Sequence, residues 1–213
     1  MRFEYKYVFK NFLEFNFFKK NFFKKIDSFS SAYKSRIINN FYFDNELSES
    51  LLQNINGDYN KVKIRLRWYD KFEKKFFLEI KGKKGNYGFK KVHELESKTN
   101  RLEINFNKRL IDFVDLPTNL SVFSNLKCVS YNSYQREYYK SLKYGIRLTV
   151  DKNLSFCNIR INRSIYSKPY IILELKFPSE NKFENQICKI VNDFNIDVSK
   201  FSKFSNSSVA NNF

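Results

Sequence analysis

The sequence predicts a mainly β protein, an antiparallel sheet or barrel with a few helices outside it. Three observations predict this class. Apolar and polar residues alternate with period two in about nine segments. The connections are mostly short and helix does not alternate with strand, which argues against a doubly wound α/β fold. The polar positions at strand centres are repeatedly Arg, Lys or Glu.

Residues 2–9, RFEYKYVF, set Arg2, Glu4 and Lys6 against Phe3, Tyr5 and Tyr7. Over 12–29 the period changes: Phe12, Phe15, Phe18 (or Phe22), Ile26 and Phe29 recur at three and four, with lysines between them. That pattern predicts an amphipathic helix, either covering one end of a sheet or lying on a membrane surface. Strand patterns follow over 35–44, 61–70, 75–82, 87–96, 129–139, 144–151, 156–163 and 170–177. NINGDYN at 54–60 is a loop with an Asn-Gly turn signal. Helices are expected over about 100–115 and over 183–194. Residues 1–204 read as one domain, and 205–213 as a polar tail.

The chain has 213 residues, enough for one domain with a proper core or two very small ones. Apolar residues make up 42%, within the range of soluble globular proteins. The formal net charge of +17 points to an anionic partner: nucleic acid, an anionic membrane or a phosphate-rich molecule. Phe, Lys and Asn are abundant while Ala, Gly and Pro are scarce. Such a skew can follow genome composition, so the arginines inform more than the lysine count. Cys128, Cys157 and Cys188 are widely spaced and odd in number, unlike a zinc knuckle or a disulfide scaffold. They read as free thiols in a reducing, cytoplasmic setting. No run of 18 apolar residues occurs, so no spanning helix is expected, and no signal peptide is read at the start.

The faces of the strands carry the functional signal. In KVKIRLRWYD, Lys61, Lys63, Arg65 and Arg67 oppose Val62, Ile64, Leu66 and Trp68. Glu79 shares a face with Lys81; Arg136 lies between Tyr134 and Tyr138; Arg147, Thr149 and Asp151 share a face, as do Glu174 and Lys176. One account is a two-sided sheet with its charged face in water. The other is a closed barrel with its apolar side outward and a charged interior. Like charges in a narrow cavity repel strongly, so such an interior needs water or a polyanion inside. A string of phosphates suits it, with bidentate contacts from Arg and point charges from Lys. The glutamates then make sense as ligands of Mg²⁺ or Mn²⁺ bridging to phosphate oxygens.

RFEYKY, FYFD (41–44), KIRLRWY (63–69), FFLEIKGK (76–83), YQREYY (134–139), GIRLTVDKNL (145–154), ILELKF (172–177) and SKFSKF (199–204) occur in this order. The ordered set resembles the VTC domain over roughly residues 1–204. This is the catalytic domain of polyphosphate polymerases of the vacuolar transporter chaperone type, within the triphosphate tunnel metalloenzymes. The resemblance implies a closed antiparallel β-barrel with accessory helices, forming a basic tunnel. It implies Mn²⁺- or Mg²⁺-dependent transfer of the γ-phosphate of ATP onto a growing inorganic polyphosphate chain. A triphosphatase acting on inorganic or nucleoside triphosphate is the runner-up, and a non-catalytic polyphosphate-binding module the third reading. Residue by residue, it implies that Arg65, Arg67, Lys81, Arg136, Arg147 and Lys200 surround the reacting phosphates. Lys6 matches the first-strand lysine, beside Glu4. Lys63 and Lys176 add charge, as does Lys90 or Lys91, since FKK fits two registers; Lys203 competes with Lys200. Glu174, helped by Glu79, would hold the metal. His93 lies near the expected basic strand but matches no functional position, and a core-edge or surface role suits it equally.

Single-stranded nucleic acid is a rival partner, since a basic barrel rich in aromatics can stack bases. Against it, most Phe residues sit at core spacings, and the chain has no RNP-like aromatic motif or Gly-rich phosphate loop.

Overall fold

A computed structural model describes residues 3–26, 28–98, 108–161, 164–178 and 183–209. Among these residues the chain forms β1 (Phe3–Phe9), α1 (Phe12–Lys25), β2 (Phe29–Asp44), α2 (Glu49–Asn56), β3 (Lys61–Tyr69), β4 (Lys75–Lys84) and β5 (Tyr87–Glu96). It continues with α3 (Leu110–Phe113), a 3₁₀ turn (Thr118–Phe123), β6 (Lys127–Ser141), β7 (Ile146–Asn158), β8 (Tyr166–Lys168), β9 (Ile171–Phe177), α4 (Glu184–Asn192) and α5 (Lys203–Val209). Of the helix expected over about 100–115, residues 99–107 lie outside the described residues, and Leu110–Phe113 makes a single turn.

The strands run in the order β1-β9-β7-β6-β2-β3-β4-β5, with β8 beside β7. β1 with β9, β9 with β7, β2 with β3, β3 with β4 and β4 with β5 are all antiparallel. The fold is therefore a mixed α and β one built on a large antiparallel sheet. The expected closure into a barrel is not found: the order is a path with two ends, and no ladder joins β1 to β5 among the described residues. The outer edge of β1 is occupied by another segment. Tyr7 bridges Val198, and the Ser199 N–H donates to the Lys6 carbonyl at 2.7 Å. Period-two alternation fixes which face each side chain takes. It says nothing of what an edge strand's free N–H and C=O groups will find.

The chain divides into two compact units. One comprises Met1–Ile37, Tyr134–Leu154 and Ser167–Phe201; the other comprises Ile38–Ser133, Ser155–Tyr166 and Ser202–Phe213. In the first, the apolar face of β1, β7 and β9 (Tyr7, Phe9, Ile146, Leu148, Val150, Leu173, Leu175, Phe177) packs on α1 and α4 through Phe15, Phe18, Phe22, Ile187 and Val191. α1 thus covers a sheet, as its period predicts. It starts at Asn11, whose side chain accepts from the Glu14 N–H at 2.9 Å, while the Glu14 carboxylate reaches back to the Lys10 N–H at 3.0 Å. In the second unit, Phe41, Phe43, Ile64, Leu66, Trp68, Phe76, Leu78 and Ile80 form the core with Leu110, Phe113 and Val114. Phe204 of α5 stacks on Tyr42 with ring centroids 4.9 Å apart, and Ser207 bonds the Ser130 hydroxyl at 2.9 Å. No helix of the described residues is long and apolar enough to cross a membrane.

Candidate functional site

In each unit the face opposite the core carries rows of charged side chains, and register creates the rows. In the second unit, Tyr42, Arg65 and Glu79 lie side by side across β2, β3 and β4; Asn40, Arg67 and Phe77 form the next row. On the other side Lys63, Lys81 and Lys90 align across β3, β4 and β5. Adjacent same-face residues sit close enough for side chains to meet.

Glu79 is the hub of this cluster. Its Oε2 accepts from Arg65 Nε at 3.0 Å and Nη2 at 2.5 Å, while its Oε1 takes Arg67 Nη1 at 3.3 Å and Lys90 Nζ at 3.1 Å. Glu79 is 3% exposed and Arg67 7%. Burial on its own would raise the Glu79 carboxyl, but Arg65, Arg67 and Lys90 outweigh it and draw it down to about 2. Arg67 Nε also donates to Asn40 Oδ1 at 2.9 Å, and Asn40 Nδ2 to Asn132 Oδ1 at 2.9 Å, so the deeper guanidinium is fixed on two sides. Arg65 Nη1 donates to the Tyr42 hydroxyl at 3.2 Å. Burial pushes that phenol up, yet Arg65, Arg67 and Lys63 bring it down to about 8. Lys63 Nζ donates to Ser202 Oγ at 3.1 Å.

A pH dependence follows from Glu79. Its folded value of about 2 lies below its ordinary 4.5. The stability it contributes is therefore complete above about pH 4.5 and is lost as pH falls toward 2. The stability gap between the parent protein and Glu79→Gln, measured by urea unfolding at stepped pH, should be widest above 4.5 and should shrink below it. A gap independent of pH would show that the charge of Glu79 is not what holds the arginines.

In the first unit, Glu4, Lys176 and Arg147 form one row across β1, β9 and β7; Lys6, Glu174 and Thr149 form the next. Asp151 follows, in register with Ile172. Lys176 Nζ meets Glu174 Oε1 at 2.5 Å and Glu4 Oε2 at 3.9 Å, and Lys6 Nζ meets Glu4 Oε1 at 3.0 Å. Arg136 of β6 forms a fork with Asp151, Nε to Oδ1 at 2.5 Å and Nη2 to Oδ2 at 2.7 Å, and its cation lies 5.2 Å from the Tyr134 ring centroid. Burial disfavours the Arg136 charge, and Asp151 more than restores it.

Other candidates sit at the margins. Arg147 and Lys81 are exposed on their charged faces. Lys200 is exposed and follows Ser199, which is bonded to the β1 edge; Lys203 opens α5 in the other unit. Lys90 shares the face of Lys81, whereas Lys91 aligns with Ile80 on the opposite face, so the register of FKK places Lys90 in the cluster. His93 aligns with Leu78, and its Nε2 is buried without a partner among the described residues. Sequence reasoning missed Asn40 and Tyr42 as supports of the arginines, although alternation in NNFYFD already set them on one face. It also placed Asp151 on the charged face without pairing it to Arg136.

The described residues hold no cluster of three or more His, Cys, Asp or Glu able to bind a metal. A hard cation that keeps its waters and takes substrate phosphates needs only one or two carboxylates. Glu174, with Glu4 in the neighbouring row, is a donor set of that kind. Glu79 is held by two guanidinium groups and a lysine, which keep its oxygens on the protein.

Two solved structures share the fold. An adenylate cyclase candidate from Vibrio parahaemolyticus superposes with a TM-score of 0.50 at 11% identity, covering 94% of this chain and 94% of that one. An adenylyl cyclase candidate from Hippeastrum, for which a dominant triphosphatase activity is described, gives 0.54 at 13% identity, covering 97% of this chain and 94% of that one. No curated protein matches the sequence. The family that the sequence matches belongs to the triphosphate tunnel proteins, enzymes that act on triphosphate or polyphosphate. The VTC domain profile matches residues 2–211, and the chain belongs to the VTC-domain family.

Proposed function

We propose that this chain cleaves the terminal phosphoanhydride of a linear triphosphate, with Mg²⁺ or Mn²⁺, and passes the phosphoryl group to water. The observation that carries the reading is the row of Lys63, Lys81 and Lys90 beside Arg65 on one face, with Glu79 as the buried carboxylate among them. Such a face suits a chain of phosphates better than an isolated carboxylate or a neutral ligand. The fold shared with the Hippeastrum protein, described as a triphosphatase, agrees with it.

Phosphoryl transfer asks for charge neutralisation and in-line placement, with little covalent chemistry from the protein. Arg65 and Arg67 bind phosphate oxygens, and Glu79 with Asn40 keeps their guanidinium planes in place. Lys63, Lys81 and Lys90 add point charges. The first unit's own charged face offers Arg147, Lys6, Lys176 and Lys200 as phosphate-binding cations, with Arg136 held by Asp151. Glu174 would hold the metal, with Glu4 as its second carboxylate, and a bound cation would further neutralise the phosphates.

Transfer onto inorganic polyphosphate is the second reading, favoured by membership of the VTC-domain family. Its acceptor is already anionic and needs no strong base. Incubation with inorganic triphosphate or ATP and metal, followed by separation of orthophosphate from long polymer, decides between them. Orthophosphate without polymer is expected; polymer as the main product would replace water by polyphosphate as acceptor.

Arg65→Ala should weaken triphosphate binding by about 1.5 kcal/mol, roughly tenfold in Kd, the worth of one charge-assisted contact at a partly exposed site. Calorimetric titration with inorganic triphosphate measures it, and an unchanged Kd would remove Arg65 from the contact set.

A further inference from the structure

One face of α1 is buried and the other carries an unusual load. Phe15, Phe18 and Phe22 pack into the core of the first unit. On the opposite side Leu13, Phe17, Lys20 and Lys24 follow at intervals of four, three and four residues, and so form one stripe. Leu13 is 80% exposed, Phe17 67% and the adjacent Phe12 57%. Single apolar side chains on a surface are ordinary, but here three large ones stand within two turns of one helix. Lys10, Lys20, Lys24 and Lys25 are exposed around them. Two nearby acids are already engaged. Glu14 takes the Lys10 N–H at the start of the helix, and Asp193 pairs with Lys25 at 3.6 Å. Lys20 and Lys24 have no carboxylate partner among the described residues. Lys19 and Lys20 also line a cavity of about 490 Å³ with aromatic walls of Phe23, Phe29 and Tyr139. Lys19 Nζ donates there to the Tyr139 hydroxyl at 3.0 Å and to Glu137 at 3.5 Å, so Lys20 is the exposed cation of this recess.

We propose that the outer face of α1 docks on a membrane surface rich in anionic lipid. Leu13 and Phe17 enter the headgroup region, and Lys20 and Lys24 meet lipid phosphates. Charge complementarity favours this occupant: a chain of net charge +17 presents lysines on all sides of the projecting apolar groups. Lysine stems lie along apolar surface while their ammonium groups reach outward, as an interfacial helix requires. A fluid surface takes projecting side chains without a groove shaped to receive them. The aromatic recess beside Lys20 suits the first carbons of a lipid whose phosphate that lysine holds. The helix lies across the sheet from Arg147 and Lys176, since their strands turn Leu148 and Leu175 toward it. A docked chain therefore keeps this charged face away from the lipid, and the proposal stands apart from the proposed function.

Sedimentation of the full chain with vesicles tests it. Vesicles of phosphatidylcholine and phosphatidylserine in equal parts should carry the protein down, and phosphatidylcholine alone should not. Leu13→Ser with Phe17→Ser should weaken binding about tenfold or more, at an unchanged urea midpoint because both positions are exposed. Lys20→Gln should weaken it about fivefold. Arg147→Ala with Lys176→Ala, on the opposite face of the same strands, should change it by less than about threefold. Trp68 is the chain's single tryptophan and is buried. A Phe17→Trp variant should therefore gain fluorescence that lipids brominated on their acyl chains quench, while the parent's emission stays as it was. A parent that stays in solution with both kinds of vesicle overturns the proposal. So does binding that survives Leu13→Ser with Phe17→Ser, or that is lost instead with Arg147→Ala and Lys176→Ala. Phe17→Trp bound to vesicles yet unquenched leaves only adsorption by charge and overturns it as well. A dimer in solution that Leu13→Ser with Phe17→Ser dissociates would give this face to a second copy in place of lipid.

Discussion

Asp151→Asn should cost about 3–5 kcal/mol of folding stability, the scale seen when one partner of a buried ion pair loses its charge. Asp151 is fully buried and takes both nitrogens of the Arg136 fork. An asparagine of the same shape keeps one acceptor but leaves the guanidinium uncompensated in a site from which water is excluded. Urea unfolding measures the loss directly. The pair itself need not be strongly stabilising, because desolvating both ions offsets much of their attraction. The double replacement Arg136→Met with Asp151→Leu should therefore recover most of the stability. That recovery separates two roles for Arg136. If the arginine also meets phosphate, the double variant folds and binds triphosphate less tightly. If it serves only to fix β6 against β7, the double variant binds as the parent does. A single Asp151→Asn change within about 0.5 kcal/mol of the parent would mean that Arg136 finds another counter-charge.

How much of this arrangement was legible in the sequence depends on which physical rule sets each part. Alternation is local and strict, so the faces of Arg65, Arg67, Glu174 and Lys176 could be read from the residues. It also contained Asn40 and Tyr42, whose role as supports appears only when β2 is laid beside β3. Pairing between distant strands is set by tertiary packing and leaves no local trace. That is why Asp151 was seen on the right face without its partner Arg136, and why Lys90 and Lys91 could not be told apart until β4 supplied the register. Closure of the sheet is further removed still. It depends on what meets two edges far apart in sequence, and here the segment at Val198 and Ser199 meets one of them. The helix at 12–25 was legible because its Phe15, Phe18 and Phe22 stripe obeys the helical period and is buried along its length. α5 was not, since its polar composition hides the two buried anchors, Phe204 and Ser207.

The same distinction between local pattern and partner governs the two buried glutamates. Both sit mid-strand among cations, and sequence alone offered both as metal ligands. Glu79 is bonded by Arg65, Arg67 and Lys90, so removing its charge should act on stability and on arginine placement. Glu174 has Lys176 at 2.5 Å and a second carboxylate, Glu4, in the next row. A lysine on a flexible stem can leave when a divalent cation and its phosphates arrive, whereas a carboxylate held by two planar guanidinium groups is fixed. Glu174→Gln should accordingly keep the fold, with the amide oxygen still accepting from Lys176. It should also lower metal-dependent turnover of triphosphate by about 10–100-fold or more, as other losses in a metal shell do. Raising Mn²⁺ at fixed triphosphate should recover part of that loss in Glu174→Gln and none of the binding defect in Arg65→Ala. The two variants would then differ in kind: one limited by metal, the other by phosphate. Turnover of Glu174→Gln equal to the parent across the Mn²⁺ titration would remove Glu174 from the metal site and leave the described residues of this fold without a buried carboxylate suited to it.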